Sequence, residues 1–142
     1  MEPKRLRKIL DISKRVETAR KGELSNARHE QTTAAQQLEQ AGREERERLQ
    51  ELEESGELDV TALQDRARGL VFAAQQTHRA RDGKVVADNE VTLRETAAFE
   101  AVRDVRKFEI LFDRAKEETR IAQKNAEQQT LDETRRTPRK GV

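Results

Sequence analysis

The chain has 142 residues, of which 40% are charged, 33% are hydrophobic and 3% are aromatic, with a net charge of +1 and a mean hydropathy of -1.05. This composition excludes a thick globular core, and the periodic apolar residues and mixed charges argue against disorder, so it favours long helices with a narrow apolar seam. The chain has no cysteine, which excludes disulfides and zinc thiolates, and it has no run apolar enough for a signal peptide or a membrane span, so we expect a cytosolic protein.

The first predicted helix covers about residues 4–54 and follows Pro3, a residue suited to the first helical turn. Its apolar residues first recur every three or four positions and then, after a shift of about one residue, continue in heptads to Leu52. The first part of the stripe comprises Leu6, Ile9, Ile12, Val16 and Ala19. The second part comprises Leu24, Ala27, Gln31, Ala34, Leu38, Ala41, Glu45, Arg48 and Leu52.

A turn is predicted at residues 55–59, where Ser55 and Gly56 can end a helix because glycine tolerates the left-handed conformation. Either Asp59 or Thr61 can cap the helix that follows. A connection this short usually joins antiparallel neighbours, so we interpret the chain as a helical hairpin with its tip here. The alternative is a local kink within one long helix.

The second predicted helix covers about residues 60–136 and is followed by a basic tail at residues 137–142. Its one weak point is the turn dipeptide Asp82-Gly83, but the periodicity resumes afterwards, which favours a continuous helix. The predicted stripe comprises Leu63, Ala67, Leu70, Ala74, Thr77, Arg81, Val85, Asp88, Val91, Glu95, Ala98, Val102, Val105, Phe108, Phe112, Ala115, Thr119, Ala122 and Ala126, with Phe72 and Phe99 beside it.

The predicted fold is therefore all-α: one antiparallel coiled-coil hairpin over residues 1–142. A turn at 55–59 pairs residues whose numbers add to about 114. The bulky residues near the termini then face one another, and alanines face alanines in the middle. The predicted hairpin core comprises Leu6, Ile9, Ile12, Val16, Phe99, Val102, Val105, Phe108 and Phe112. The pairing leaves residues from about 112 to 136 without a partner, and a helix of that length needs another protein or another copy to cover its apolar stripe.

No enzymatic site is predicted, because a two-helix hairpin offers no concave, water-excluding pocket. His29 and His78 lack the spacing of a helical metal site, so we expect no metal, cofactor or small-molecule substrate. Nucleic acid is disfavoured as a partner because no aromatic residue interleaves with the basic residues at the chain ends.

The charges are distributed unevenly along the hairpin. Basic residues lie near the chain ends: Lys4, Arg5, Arg7, Lys8, Arg135 and Arg136, with Arg139 and Lys140 in the tail. Acidic residues dominate the tip: Glu44, Glu45, Glu47, Glu51, Glu53, Glu54, Glu57 and Asp59. Negative charge at a helix C-terminus opposes the helix dipole, so the tip suggests either a contact with a basic partner or an exposed, solubilising turn.

Three local patterns, together with the length and the unequal helices, carry a resemblance that covers nearly the whole chain. They are Ala-Ala-Gln-Gln-Leu at residues 34–38, Ala-Gln-Gln-Thr-His-Arg at 74–79 and Gln-Gln-Thr-Leu-Asp-Glu at 128–133. With these features the chain resembles the FliJ family, the coiled-coil proteins of the flagellar type III export apparatus, and their counterparts in virulence-type secretion.

The resemblance implies a cytoplasmic stalk-like protein, peripheral to the inner membrane at the export apparatus and monomeric as a hairpin. Its implied partners are the hexameric export ATPase, the cytoplasmic domain of the export gate and export chaperones. The gate-binding surface implied by position comprises Gln37, Ala41, Glu44, Arg48, Ala67, Val71, Ala74 and His78. Positions 44 and 48 are charged here, whereas familiar members carry aromatic residues there. The basic residues at the two ends would face the ATPase.

Two other functions remain open from the sequence alone. An acidic coiled-coil tip can enter a polymerase channel and place carboxylates near the catalytic magnesium, although such proteins usually carry a globular docking domain. The chain could also be a homodimeric scaffold coiled coil, which analytical ultracentrifugation would distinguish from a monomeric hairpin.

Overall fold

The computed structural model describes residues 2–136 and contains two α-helices, α1 (Pro3–Glu53) and α2 (Val60–Arg136), packed against each other. No strand occurs among these residues. The predicted helix bounds agree with the observed ones to within one residue, and the all-α fold with a longer second helix is confirmed. The predicted basic tail at residues 137–142 lies outside the described residues.

The turn between the helices is built by local chemistry. Gly56 adopts a positive φ of 51°, the left-handed conformation that glycine reaches without steric cost. A carboxylate oxygen of Asp59 accepts a hydrogen bond of 2.7 Å from the backbone N–H of Ala62. Asp59, rather than Thr61, is therefore the N-cap of α2.

The C-terminal end of α1 is closed by a residue from α2. The last turn of α1 contains no basic residue that could interact with its free carbonyl groups. Instead, the Arg66 guanidinium donates a 2.7 Å hydrogen bond to the backbone oxygen of Glu51 and a 3.1 Å bond to the Ser55 hydroxyl. The start of α2 is thereby attached to the end of α1.

The Asp82-Gly83 dipeptide does not interrupt α2. Both residues are helical, and Gly83 is not among the residues with positive φ. The prediction of one continuous second helix is confirmed.

The chain divides into two compact units. One unit joins the described residues up to Thr18 with those from Phe99 onward, and the other is Ala19–Ala98, which contains the turn. Whether residues 1–142 behave as a single hairpin domain stays a prediction.

Each helix buries one stripe, and both stripes keep strict heptad spacing. The buried or half-buried seam of α1 comprises Leu6, Leu10, Ser13, Glu17, Arg20, Leu24, Ala27, Gln31, Ala34, Leu38, Ala41, Glu45 and Leu52. That of α2 comprises Leu63, Arg66, Leu70, Ala73, Thr77, Ala80, Lys84, Ala87, Val91, Arg94, Ala98, Ala101, Val105, Phe108, Phe112 and Ala115.

The predicted stripe of α1 is right from Leu24 to Leu52 except at Arg48, which is exposed. Before Leu24, Leu6 is buried as predicted, whereas Ile12, Val16 and Ala19 are exposed. The heptad does not shift, so the seam continues back through three polar residues to Leu10 and Leu6. Ile12 and Val16, predicted to lie in the seam, are 59% and 41% exposed. The prediction chose Ile12 and Val16 because they are apolar and recur with helical spacing. The continuous heptad instead places the polar residues Ser13, Glu17 and Arg20 in the seam.

In α2, about every second residue of the predicted stripe lies in the observed seam, and the residues between them lie beside it. Leu63, Leu70, Thr77, Val91, Ala98, Val105, Phe108, Phe112 and Ala115 lie in the seam. Most of the intervening positions are displaced by one residue, so that Ala73 and Ala101 are buried in place of Ala74 and Val102.

The predicted pairing between the helices is also wrong in register. Within Ala19–Ala98, Glu23 contacts Arg94 and Gln31 contacts Asp88, whereas the prediction places Gln31 opposite residue 83, about one turn away. The helices do run antiparallel, but these two residues of α1 meet α2 about one helical turn further along the chain than predicted.

Candidate partner-binding surfaces

The C-terminal part of α2 lacks a partner within the described chain. Ala115 is the last half-buried seam residue, and every residue from 116 to 131 is exposed. Ile121 and Leu131 are 45% and 55% exposed on this segment, which we call the overhang (residues 116–136). The overhang begins a few residues later than predicted.

The overhang carries local side-chain contacts of its own. Arg120 forms a two-pronged ion pair with Glu117, with a shortest distance of 2.7 Å, and this pair lowers the pKa of the carboxylate and raises that of the guanidinium. At the junction with the packed part, the Lys116 ammonium lies 5.0 Å from the Phe112 ring centroid. Such exposed pairs contribute little to helix stability. Because no other helix packs against the overhang within the described residues, packing does not stabilise its helical conformation there.

The six basic residues predicted to face the ATPase are all exposed: Lys4, Arg5, Arg7, Lys8, Arg135 and Arg136. They do not form one cluster. The first four lie at the start of α1, whereas the last two follow Ala115 by twenty residues, a distance of about 30 Å along a helix.

The predicted hairpin core divides into three groups. Leu6 and Val105 are buried, at 4% and 7% exposure. Ile9, Phe108 and Phe112 are half-buried. Ile12, Val16, Phe99 and Val102 are exposed, Phe99 by 65%, so the seam does not pass through them.

The α1 half of the implied gate surface lies in a groove between the helices. Gln37, Ala41 and Glu44 line this groove together with Phe72 and Arg79 of α2. Phe72 is 62% exposed. Arg48, the fourth α1 residue, is instead paired with Glu51 at 3.2 Å and does not line the groove.

The α2 half of that surface lies elsewhere. Ala67 and Val71 line another hollow on α2, which shares Phe72 with the groove. Ala74 is half-buried, and His78 is exposed with its Nε2 3.5 Å from an Asp82 carboxylate oxygen. The structure therefore does not bring the α2 positions together with Gln37 and Glu44. The sequence did not predict that Phe72 and Arg79 lie opposite Gln37 and Glu44, although Phe72 beside the predicted stripe was a signal for it. Whether the implied residues bind the gate stays a prediction.

The groove extends further along both helices. A second hollow contains Gly83, Val86 and Glu90 of α2 opposite Glu30 of α1, and it shares Gln37 with the first. We call the two together the interhelix groove. It is shallow and open, so it suits a protein segment rather than a small molecule.

A polar network lies in the seam beyond the groove. Arg94 bonds Glu90 at 2.7 Å and Glu23 at 3.1 Å, and these carboxylates raise the pKa of Arg94. Asp88 accepts hydrogen bonds from Gln31 at 2.8 Å and Lys84 at 2.9 Å, which lower its pKa. Of these contacts, Glu23–Arg94 and Gln31–Asp88 join the two helices within Ala19–Ala98.

Comparisons with known proteins bear on the whole chain. A family model described as "Flagellar FliJ protein" matches residues 1–140. No curated protein and no solved structure matches the sequence. Within residues 2–136, no helix is long and apolar enough to cross a bilayer.

Proposed function

The chain belongs to the FliJ family of the flagellar type III export apparatus, and from this premise we propose that it is the central-stalk-like subunit of the export ATPase ring. In this role it promotes assembly and activity of the hexamer and links it to the export gate and to export chaperones. It acts as a monomer in the cytoplasm, peripheral to the inner membrane at the export apparatus. It carries out no chemical step itself.

The uncovered overhang is the observation that carries this proposal. Twenty-one helical residues follow the last packed position, and their apolar side chains, Ile121 and Leu131, have no cover in the described chain. An isolated helix is marginal in water, so a partner that surrounds it would supply the missing contacts. We place the overhang in the central pore of the ATPase ring, where the exposed Arg135 and Arg136 would meet acidic groups.

The mechanism is mechanical rather than catalytic. A helical stalk presents different side chains to different subunits of a hexamer, so it stabilises some subunit conformations more than others. Such differential contact accelerates turnover and favours ring closure at low enzyme concentration. The basic start of α1, from Lys4 to Lys8, provides a second contact about 30 Å from the end of the overhang.

For the export gate, we propose the interhelix groove as the docking site. The resemblance implies Gln37, Ala41 and Glu44 as gate contacts, and their neighbours in the groove are Phe72 and Arg79. An exposed aromatic beside an arginine is a favourable interface anchor. The implied contacts Ala67, Val71, Ala74 and His78 would form a separate second contact.

ATP hydrolysis by the cognate export ATPase, measured at low enzyme concentration, tests the stalk proposal. We expect stimulation by the native chain. The double variant Ile121→Asp with Leu131→Asp should raise the concentration for half-maximal stimulation by about tenfold or more, because it removes both apolar contacts of the overhang.

Val60→Asp provides the matched control for this experiment. Val60 is 70% exposed at the start of α2, in the other unit, so its replacement changes the same chemistry outside the overhang. It should stimulate like the native chain. Equal stimulation by the double variant, or none by the native chain, contradicts the stalk proposal.

A further inference from the structure

A glycine in the middle of α2 makes no close approach to any other part of the described chain. Gly83 is exposed and helical, and a Cβ atom added to it would meet nothing within 4 Å. Glycine destabilises a helix interior relative to alanine, so the fold gains nothing from it. Gly83 lines the interhelix groove, where the lack of a side chain lets another backbone approach closely.

Two exposed apolar side chains flank this glycine along the α2 wall of the groove. Phe72 is 62% exposed and Val86 is 68% exposed. They are two heptads apart, so they face the same side of α2 at a separation of about 21 Å. This spacing suits a helix of about four turns that lies along the groove and places apolar residues at both ends.

The α1 wall supplies carboxylates at a matching spacing. Glu30 and Glu44 both line the groove, two heptads apart with Gln37 between them. Neither forms an ion pair within residues 2–136, and Glu44 accepts only a 3.0 Å hydrogen bond from Gln40. Glu90 at the far end is already bound by Arg94. Arg79 is the cation opposite them, so the uncompensated charge of the α1 wall is acidic.

From these features we propose that the interhelix groove binds an amphipathic helix with a basic edge, which seats its apolar stripe on Phe72 and Val86 and crosses Gly83 at close range. Its basic residues pair with Glu30 and Glu44, and one acidic residue meets Arg79. The source of this helix is the export gate, and that assignment rests on the function proposed above.

Two synthetic 21-residue peptides test the groove directly. Both carry the same leucine stripe, but one has lysines along its edges and the other has glutamates. Fluorescence anisotropy against the full chain should show binding of the lysine peptide and at least tenfold weaker binding of the glutamate peptide. Gly83→Gln should weaken binding of the lysine peptide at least tenfold, because its side chain blocks the close approach.

The chain offers matched controls for both variants. Gly22 is also exposed and helical with open space around it, so Gly22→Gln makes the same change away from the groove and should bind normally. The double variant Glu30→Lys with Glu44→Lys should reverse the preference toward the glutamate peptide. Glu39→Lys, on an exposed residue outside the groove, should not.

Several results would overturn the inference: no binding of either peptide, equal binding of both, or normal binding by Gly83→Gln. Self-association abolished by Gly83→Gln in sedimentation would instead identify a second copy as the occupant and also overturn it. The purified cytoplasmic domain of the gate should displace the lysine peptide. If the gate domain binds the chain without displacing the peptide, the proposed gate binding holds, but the gate does not supply the helix that occupies the groove. If the gate domain does not bind at all, the proposed gate binding itself is wrong.

Discussion

The position of the seam near the chain ends can be tested with two valines of α2 that are three residues apart. Val105 is 7% exposed and Val102 is 41% exposed, although the sequence pattern predicted both to be core residues. Replacing each with alanine removes the same atoms and gains the same helix propensity, so the difference between the variants reports burial alone.

The expected magnitudes follow from these exposures. Val105→Ala loses its burial at about 0.8 kcal/mol per methylene-sized group, and the remaining cavity adds to this, giving a destabilisation of about 2 kcal/mol. At Val102 less apolar area is buried, so the stabilisation lost on replacement is smaller. It is nearly offset by the roughly 0.5 kcal/mol that alanine gains over valine in a helix. We therefore expect the two variants to differ by about 1.5 kcal/mol, or several degrees in Tm.

Urea and thermal unfolding followed by circular dichroism measure this difference. If Val102→Ala destabilises the protein as much as Val105→Ala, the seam passes through Val102. The unbroken heptad of α2 through Ala98, Ala101 and Val105 would then be wrong.

Two further predictions concern the glycines and the pH dependence of stability. Gly22→Ala should stabilise the protein by about 1 kcal/mol, because the new Cβ meets nothing within 4 Å, whereas Gly56→Ala should destabilise it by about 1–2 kcal/mol because its φ is positive; urea unfolding measures both, and a stabilising Gly56→Ala would contradict the turn geometry. The pKa of Asp88 is lowered by its hydrogen bonds to Gln31 and Lys84, so its contribution to stability is present above the ordinary value of 3.8 and is lost as the pH falls from there through the lowered folded pKa. Asp88→Asn should make stability less dependent on pH in this acidic range, and an unchanged profile in chemical unfolding between pH 2 and 5 would show that the bonds do not persist in solution.

Local chemistry explains why the helix bounds and the turn could be predicted. A glycine with positive φ and an aspartate cap act over three or four residues, and both are visible in the sequence. Pro3 and the resumed periodicity after Gly83 are equally local. The closing of α1 by Arg66 could not be foreseen, because that bond joins residues fifteen positions apart across the turn.

The seam near the start of α1 was predicted wrongly because the sequence carries two competing apolar stripes there. Ile12 and Val16 form one with α-helical spacing, whereas the true seam uses Ser13, Glu17 and Arg20 at the same level. Burial of apolar area favours the first stripe. Continuity of the heptad from Leu24 back to Leu10 favours the second, and continuity decides because a shifted seam would require a local change in helix winding.

The candidate surfaces could be placed only in part from the sequence, because they depend on which residues of the two helices lie side by side. A one-residue displacement rotates a helix position by about 100°, so residues that a pattern assigns to one surface can lie on different sides of a helix. Gln37, Ala41 and Glu44 line the interhelix groove, where Phe72 and Arg79 form the α2 wall, whereas Ala67 and Val71 line the hollow on α2. Whether either set binds the gate stays a prediction.

The exposed apolar residues outside the seam, Phe72 and Val86, are better explained by binding of a partner than by stability of the hairpin. A chain under selection for hairpin stability alone would bury Phe72 and Val86 or replace them, and it would not keep an open glycine between them. It would also avoid polar seam residues such as Arg20 and Gln31, because apolar residues there would bury more surface. The polar seam fixes one register by specific bonds, and that register places the exposed residues of α2 opposite Glu30 and Glu44. The bonds of Gln31 and Glu23 across the seam therefore determine the geometry of the interhelix groove as well as the pairing of the helices.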